Sequence, residues 1–255
     1  MKKLNIVFLI ILLLSLTSCI SLNTEIKYRL IISGIGIDYI KDDDIYELTV
    51  QVLDTSENSA EQGKSSVPVS NYTVKGKTIT EAINSLGENT GKTPLYSQNR
   101  MILLGSSVQG ENAVRALDFF VREYTSRPDV LVMSATGSAE KMLTLSEDEN
   151  GIAGLLENEA ELGRDTSAAL ATELYEYVNL SLDEGSEVVL PLAEIISEKD
   201  KSVKLSGSAV VSSGDGVRLS EAETFFLLLA TDKAEKGTLR VGASALEIMK
   251  TGTKI

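Results

Sequence analysis

The 255-residue chain carries 24 Lys and Arg against 37 Asp and Glu, a formal net charge of −13, with one Cys and no His. This acidic balance argues against nucleic-acid binding and against a polybasic attachment to a membrane surface, because both need Lys and Arg. The lack of His excludes the usual Ser-His-Asp and Cys-His catalytic arrangements and histidine-based zinc sites, and a single Cys forms no disulfide within the chain.

The amino-terminal segment predicts a lipoprotein export signal. Positive charge at 1–3 precedes an apolar run at 4–16, which is too short to cross a bilayer as a helix. The run ends in Leu16, Thr17, Ser18 and Cys19. An aliphatic residue, two small residues and a Cys resemble the lipobox of bacterial lipoproteins, which implies a signal peptide at 1–18, diacylglycerol and palmitate-type acylation on Cys19, and a lipidated tether at 19–28. A free thiol in a signal tail is the alternative, since a lone Cys is often only a small apolar residue.

Three strands are predicted next. The Ile-rich stretch 29–40 and the alternating stretch 45–54 form a hairpin around the acidic turn 41–44. A third strand at 67–76 follows a polar loop. Pro68 cannot donate to a strand ladder, so this third strand is expected at a sheet edge.

Helices and strands then alternate. A capping-box pattern at Thr78–Glu81 predicts a helix whose apolar face is Ile79, Ala82, Ile83 and Leu86. Strands are expected at 98–107 and 129–137. Between them, Asn112 is expected to cap a helix with the apolar stripe Val114, Leu117, Phe120, Val121 and Tyr124.

The rest of the chain is predicted to contain the boundary between two domains. Residues 151–183 are predicted to be mainly helical, with Thr166 or Ser167 opening a long segment, and 187–196 return to a strand. The charged stretch 197–202 is a predicted linker after an N-terminal domain at 29–196. Residues 203–255, with a second capping box at Ser220–Glu223 and a closing strand, are expected to begin a second, incomplete α/β unit. Strands, helices and hairpins together predict an α+β (mixed α/β) fold with a mixed sheet and packed helices.

Two motifs come close to ligand-binding patterns. The stretch GENTGKT at 87–93 resembles a phosphate loop but has one residue too few between its glycines, and Gly91 fits a helix C-terminal cap. The stretch 146–157 fits a calcium loop at Ser146, Asp148, Asn150 and Glu157, although a hydroxyl stands where the first carboxylate belongs. A polar helix–helix turn is the alternative. No catalytic, metal or cofactor residue is otherwise predicted.

Several long stretches together resemble one family. They are ISGIGIDYIKDDDIYELTVQVL, GKTITEAINSLGENTGKTPLYSQNRMILLG, ALDFFVREYTSRPDVLVMSATGSAEKML and LSGSAVVSSGDGVRLSEAETFFLLLATDKAEKGTLRV. With the lipobox upstream, they resemble the C-subunit family of spore germination receptors, Ger(x)C. Two features depart from the family. Members commonly carry a Trp-Asp pair after the lipidated Cys, and they continue past TGTKI with further strands and helices, so a C-terminally shortened chain is expected.

The resemblance implies a non-enzymatic role. It implies a lipid-anchored subunit of a nutrient germinant receptor, on the outer face of the cell membrane or the spore inner membrane. Its partners would be the multi-spanning A- and B-type subunits, and no cofactor is implied. The alternative is a cell-envelope lipoprotein that binds a solute or hydrolyses wall glycans, for which two carboxyl groups would have to converge in a cleft.

Overall fold

A computed structural model describes residues 26–54, 67–146, 151–167, 169–183, 185–211, 216–234, 237–241 and 244–248. After a 3₁₀ turn at Ile26–Tyr28, the strands are β1 Arg29–Ile40, β2 Ile45–Leu53, β3 Val69–Gly76, β4 Thr93–Leu95, β5 Met101–Leu104, β6 Leu131–Ala135, β7 Thr172–Glu173, β8 Val189–Ser197, β9 Ser202–Val210, β10 Arg218–Leu219, β11 Gly237–Val241 and β12 Ser244–Ile248. The helices are α1 Ile79–Thr90, α2 Glu111–Arg122, α3 Ala139–Leu143, α4 Gly151–Thr166, α5 Leu174–Leu182 and α6 Glu221–Ala230.

One large mixed sheet organises these elements. Its order is β10-β9-β8-β6-β5-β1-β2-β3, with β4 pairing β1 and β7 pairing β6. The centre is parallel, because β1, β5, β6 and β8 run the same way, whereas the hairpins at both sides are antiparallel. This mixture of parallel and antiparallel pairing with helices confirms the α+β fold class.

Helices cover both faces of the sheet because its central strands are apolar on both sides. On β5, Ile102 and Leu104 belong to the core cluster that includes the buried residues of α1, α2 and α5. The alternate residues Met101 and Leu103 belong to the cluster with α3 and α4. Successive strand side chains point to opposite faces, so the run MILL contributes to two cores at once.

The predicted hairpin, edge strand and first helix are confirmed. β1 and β2 pair in antiparallel register around the turn 41–44, and β3 lies at the end of the sheet order just after Pro68. The predicted apolar face of α1 is buried throughout. Gly91 ends this helix in the left-handed conformation with φ 65°, so GENTGKT forms a helix end and the start of β4.

The predicted details of α2 are partly wrong. Asn112 lies inside the first turn, and the N-cap is Gly110 with φ 56°, a conformation that only glycine adopts readily. The buried face is Ala113, Ala116, Leu117 and Phe120. Val114, Val121 and Tyr124 of the predicted stripe are exposed, because the face that packs against the core carries the small residues Ala113 and Ala116.

The last third of the chain also differs from expectation in places. The helix α4 ends at Thr166 and the next helix begins only at Leu174, with Glu173 as its cap, so neither Thr166 nor Ser167 starts a helix. The capping box at Ser220–Glu223 is confirmed, with both reciprocal hydrogen bonds present.

The segment of the predicted linker lies inside a hairpin. Residues 198–201 form the turn between β8 and β9, which are neighbours in the large sheet. The final stretch forms two strands, β11 and β12, that pair with each other instead of one closing strand. The division of the chain into two domains and a tether stays a prediction.

Candidate functional site

The residues singled out from sequence are only partly within the described ranges. Leu16, Thr17, Ser18 and Cys19 lie outside them, as do Asp148 and Asn150 of the calcium-loop pattern. Ser146 is buried, and Glu157 forms an ion pair with Arg100 at 3.0 Å. Nowhere in the described ranges do three or more Asp, Glu, Cys or His side chains group as a metal site would require. The lipidation site and the calcium loop stay predictions.

A buried glutamine binds both the end of α3 and the first turn of α4, where the calcium-loop pattern was predicted. Gln51 of β2 is fully buried, its Nε2 donates to the carbonyl of Leu143 at 2.9 Å, and its Oε1 accepts from the N–H of Ala153 at 3.1 Å. One side chain thus gives a hydrogen-bond partner to a backbone carbonyl at the end of α3 and to a backbone N–H at the beginning of α4. Such groups at helix ends have no partner within their own helices. The sheet therefore fixes both ends of the connection between these helices.

A buried aspartate fixes the other end of α3. Asp38 of β1 accepts hydrogen bonds from the hydroxyl of Ser138 at 3.0 Å, from the N–H of Ala139 at 3.0 Å and from the N–H of Glu140 at 2.9 Å. Its carboxylate lies so close to Gly105 that a Cβ there would stand 1.8 Å from Oδ1. Asp38 therefore has a structural role as a helix cap, and Gly105 leaves the room for it.

A polar cavity of about 190 Å³ opens where β5 and β6 begin. Its lining comes from residues just before these strands, from α4 and from the region of β7. The described lining residues are Asn99, Arg100, Arg127, Asp129, Val130, Leu131, Glu157, Ala160, Glu161, Arg164, Ala171 and Glu173. The cavity lies at the amino ends of the parallel strands, whereas nucleotide sites of open α/β sheets lie at the carboxyl ends.

Arginine–carboxylate pairs surround the cavity. Besides the Arg100–Glu157 pair, Arg127 binds Asp129 through two hydrogen bonds of 2.9 and 2.6 Å. Arg164 binds Glu173 at 2.9 Å. The hydrogen bond from Arg127 holds the pKa of Asp129 below its usual range, since pairing favours the ionised carboxylate.

Asn99 is the unusual member of the lining. Its side chain is 2% exposed, and neither the Nδ2 nor the Oδ1 atom has a hydrogen-bond partner. The backbone is fixed, because the N–H of Asn99 donates to the carbonyl of Tyr96 at 2.8 Å. A buried polar group without a partner costs about 1–3 kcal/mol. The sequence analysis missed this residue as a site residue, and the only signal for it was the Asn-Arg pair before an apolar strand.

A second, apolar cavity of about 360 Å³ lies between α2 and α5. Its walls include Phe120, Val121, Tyr124, Tyr175 and Val178. The side chain of Tyr124 is 87% exposed. Of these residues, Val121 and Tyr124 belong to the predicted α2 stripe and are exposed, whereas Phe120 reaches the core.

A known protein family matches most of the residues that the structure describes. The family model "Spore germination protein N-terminal domain" matches residues 23–195. Spore germination protein A3 of Bacillus subtilis (strain 168) is 30% identical over 165 residues, which are 61% of this chain and 43% of that protein. The chain therefore spans less than half the length of this relative. No solved structure matches.

The family match ends inside the large sheet, which continues through β9 and β10. The match ends at residue 195, within β8, so it includes the parallel centre of the sheet and the polar cavity. Among the described helices, none is long and apolar enough to span a bilayer. The chain belongs to the family of the spore germination protein N-terminal domain.

Proposed function

We propose that this protein is a lipid-anchored, non-enzymatic subunit of a nutrient germinant receptor and takes part in spore germination. The observation that carries the proposal is the family match over residues 23–195. The named role of the relative in B. subtilis, a spore germination protein, supports the same function.

The lipobox supports the location. Cys19 lies four residues before the family match begins, so acylation there would attach the family domain to a membrane through a short segment. Bacterial lipoprotein Cys residues carry more than one acyl chain, and two or more chains anchor stably where one does not. The subunit would lie on the outer face of the cell membrane, which corresponds to the spore inner membrane, beside the multi-spanning A- and B-type subunits. The tether raises the effective concentration of these partners without any new contact.

The alternative role as a wall-glycan hydrolase finds little support in the polar cavity. A glycosidase needs a carboxylic acid with a raised pKa to protonate the leaving group. Three of the four lining carboxylates are instead paired with arginines, and the pKa of Asp129 is lowered by Arg127. This favours a binding or scaffold role over acid catalysis for these groups.

Membrane fractionation with two variants tests the anchor. We expect Cys19→Ala to move the protein from the membrane fraction to the soluble fraction, because the alanine has no sulfur to acylate. Ser18→Ala is the matched control, since it keeps a small residue before the Cys and should stay in the membrane fraction. A Cys19→Ala protein that remains with the membrane would refute lipid attachment at this residue.

Germination assays test the receptor role. In a sporulating host that retains only this receptor's subunits, deletion of the gene should leave sporulation intact and slow nutrient-triggered germination. The wild-type gene should restore germination and the Cys19→Ala gene should restore it less. Normal germination of the deletion strain on every nutrient tested would contradict the proposal. Co-purification of the two multi-spanning subunits from wild-type spore membranes tests the partners directly.

A further inference from the structure

Exposed aromatic and aliphatic side chains gather at one end of the large sheet. We propose that this end rests on the lipid bilayer, with its apolar side chains in the boundary between headgroups and acyl chains. The members of this amino-end surface are Ile26, Tyr28, Val121, Tyr124 and Tyr175. The inference rests on the proposed lipid attachment for the position of the bilayer, and it goes further by naming the face that meets the lipid.

The fold brings these side chains to the same end of the sheet from three segments. The turn at Ile26–Tyr28 leads directly into β1, so it lies at the amino end of that strand. The helix α2 connects the carboxyl end of β5 to the amino end of β6, so Val121 and Tyr124 lie at the amino ends of the parallel strands. The helix α5 begins there as well, because the N–H of Tyr175 donates to the carbonyl of Pro128, just before β6.

Core contacts link the beginning of β1 to the end of α2. Leu30 of β1 pairs with Pro94 of β4 and is buried in the same core cluster as Phe120 of α2. The ring of Tyr96, just after β4, lies 6.0 Å from the ring of Phe119 and 5.9 Å from that of Phe120. The apolar cavity then joins α2 to α5. The amino-end surface therefore spans all three segments.

The tyrosines of this surface suit the interface between a bilayer and water. Tyr124 is 87% exposed, Tyr28 is 53% exposed and Tyr175 is 48% exposed. Tyrosine combines an apolar ring with a polar hydroxyl, so it is enriched at the level of the headgroups. Exposure of the rings to water costs free energy in proportion to their apolar area. A bilayer surface removes this cost and still offers hydrogen bonds to the hydroxyls.

The charges around the surface offer little opposition to this contact. The chain has a net charge of −13, so anionic headgroups repel the protein as a whole. The described lining of the apolar cavity, by contrast, contains a single charged residue, Glu123. Beside it, Glu173 is paired with Arg164. Glu176 is paired with Lys233. A tethered protein can therefore turn this surface to the lipid without bringing a group of unpaired carboxylates with it.

The length of the tether agrees with this orientation. Six residues separate Cys19 from Ile26, so the Cα atoms of these two residues are at most about 25 Å apart in any conformation. The strand β1 has 12 residues, which places the hairpin turn at 41–44 about 40 Å from the amino end of the strand. An inverted orientation would hold Ile26 farther from the bilayer than the tether reaches. The acidic hairpin turn therefore points away from the lipid.

Tryptophan fluorescence in vesicles tests the surface. The chain contains no Trp, so Tyr124→Trp introduces a single reporter at a nearly fully exposed position. The full chain is reconstituted into vesicles of phosphatidylcholine and phosphatidylglycerol, with or without bromine near the headgroup end of the acyl chains. We expect bromine to remove about half of the emission or more, because an interfacial apolar face lies about 5–10 Å into this boundary. Equal emission with and without bromine would overturn the proposal and leave the surface to a protein partner, which these vesicles lack.

Two controls locate the contact. Asp42→Trp places the reporter in the exposed turn at the far end of β1, where we expect no quenching by bromine. In the Tyr124→Trp background, Val121→Ser should weaken the quenching. Val114→Ser is its matched control and should not, because Val114 is 47% exposed against 48% for Val121 but lies two turns farther along α2 from the amino-end surface. Equal quenching of Tyr124→Trp and Asp42→Trp would also refute the orientation.

Failure of the surface is distinguishable from failure of the lipid attachment. The mass of the purified chain shows whether Cys19 carries acyl chains. Where it carries none, coupling this single Cys to a maleimide lipid supplies the tether, so the reporter reads the surface in either case. Absence of acyl chains contradicts the proposed anchor, whereas an unquenched Tyr124→Trp on a tethered chain contradicts the surface. The melting temperature of Tyr124→Trp should equal that of wild type, because the replaced ring is outside the core.

Discussion

Gln51 offers a sharp test of how the sheet holds the helices on one of its faces. Gln51→Met keeps the length of the side chain and removes both hydrogen bonds, which leaves the carbonyl of Leu143 and the N–H of Ala153 without their partner. Both backbone groups belong to fully buried residues, so water cannot replace the amide. At about 1–3 kcal/mol for each buried unsatisfied group, we expect a loss of about 2–6 kcal/mol in the free energy of unfolding. For a chain of this size that corresponds to a fall in melting temperature of about 10 °C.

The control for this prediction has the same bonding pattern at an accessible position. Gln109 donates from Nε2 to the carbonyl of Ser106 and accepts at Oε1 from the N–H of Gly216, and it is only half-buried. Gln109→Met should therefore cost less than about 1 kcal/mol, because water can reach the freed groups. Urea unfolding followed by circular dichroism measures both variants. Equal losses for the two, or a loss below about 1 kcal/mol for Gln51→Met, would refute the reasoning.

Gln51→Glu adds a pH dependence of known sign. A protonated carboxyl can reproduce the wild-type bonds, donating to Leu143 and accepting from Ala153, whereas an ionised carboxylate would face the Leu143 carbonyl in a buried site. Burial and this carbonyl raise the folded-state pKa of the new group above its unfolded value. Its contribution to stability is thus present below the unfolded pKa and is lost as pH rises through the folded pKa. We expect the stability deficit relative to wild type to be small near pH 4 and to grow towards pH 7; a deficit that does not change with pH would contradict this.

Two further predictions concern the same face of the sheet. Burial and the negative charge of Glu47 raise the pKa of Glu140, although Lys75 opposes this shift. A raised carboxyl pKa gives stability below the unfolded pKa that is lost at higher pH, so Glu140→Gln should raise the urea midpoint at pH 7 and leave it unchanged near pH 4. An unchanged midpoint at pH 7 would contradict this. Gly105→Ala would place a methyl group against the carboxylate of Asp38, and we expect a clear fall in melting temperature, whereas the same change at exposed Gly137, where a Cβ meets nothing, should have little effect.

Local patterns were sufficient for several segments whose structure depends on near neighbours, although they misplaced the caps of α2 and α5. The hairpin of β1 and β2, the edge position that Pro68 predicts and the capping box at Ser220–Glu223 all appear as predicted, although β2 is buried on both faces instead of one. Each depends on residues a few positions apart, whose backbone hydrogen bonds or side-chain period are visible in the sequence. The end of α1 at Gly91 belongs to the same class.

Features that depend on distant partners were not predictable in this way. The amide of Gln51 donates a hydrogen bond to the carbonyl of Leu143, 92 residues away. A glutamine in the sequence does not by itself predict a buried position. In α2, hydrophobicity favoured Val114 and Val121, but the face with the small residues Ala113 and Ala116 is the one that packs. Asn99 is similar, because the absence of a partner is a property of the assembled cavity and not of any motif.

The place of β1 in the sheet has a consequence for the newly made chain. β1 pairs with β2 through a short turn, but its other edge pairs with β5, where Ile35 lies opposite Ile102. A growing chain that has reached only β3 can form the three-stranded antiparallel sheet β1-β2-β3. The backbone N–H and C=O groups on the other edge of the Ile-rich strand β1 then still have no partner strand. Such an edge invites pairing with other chains. We therefore expect the nascent protein to be most prone to aggregation before residues 101–104 have emerged.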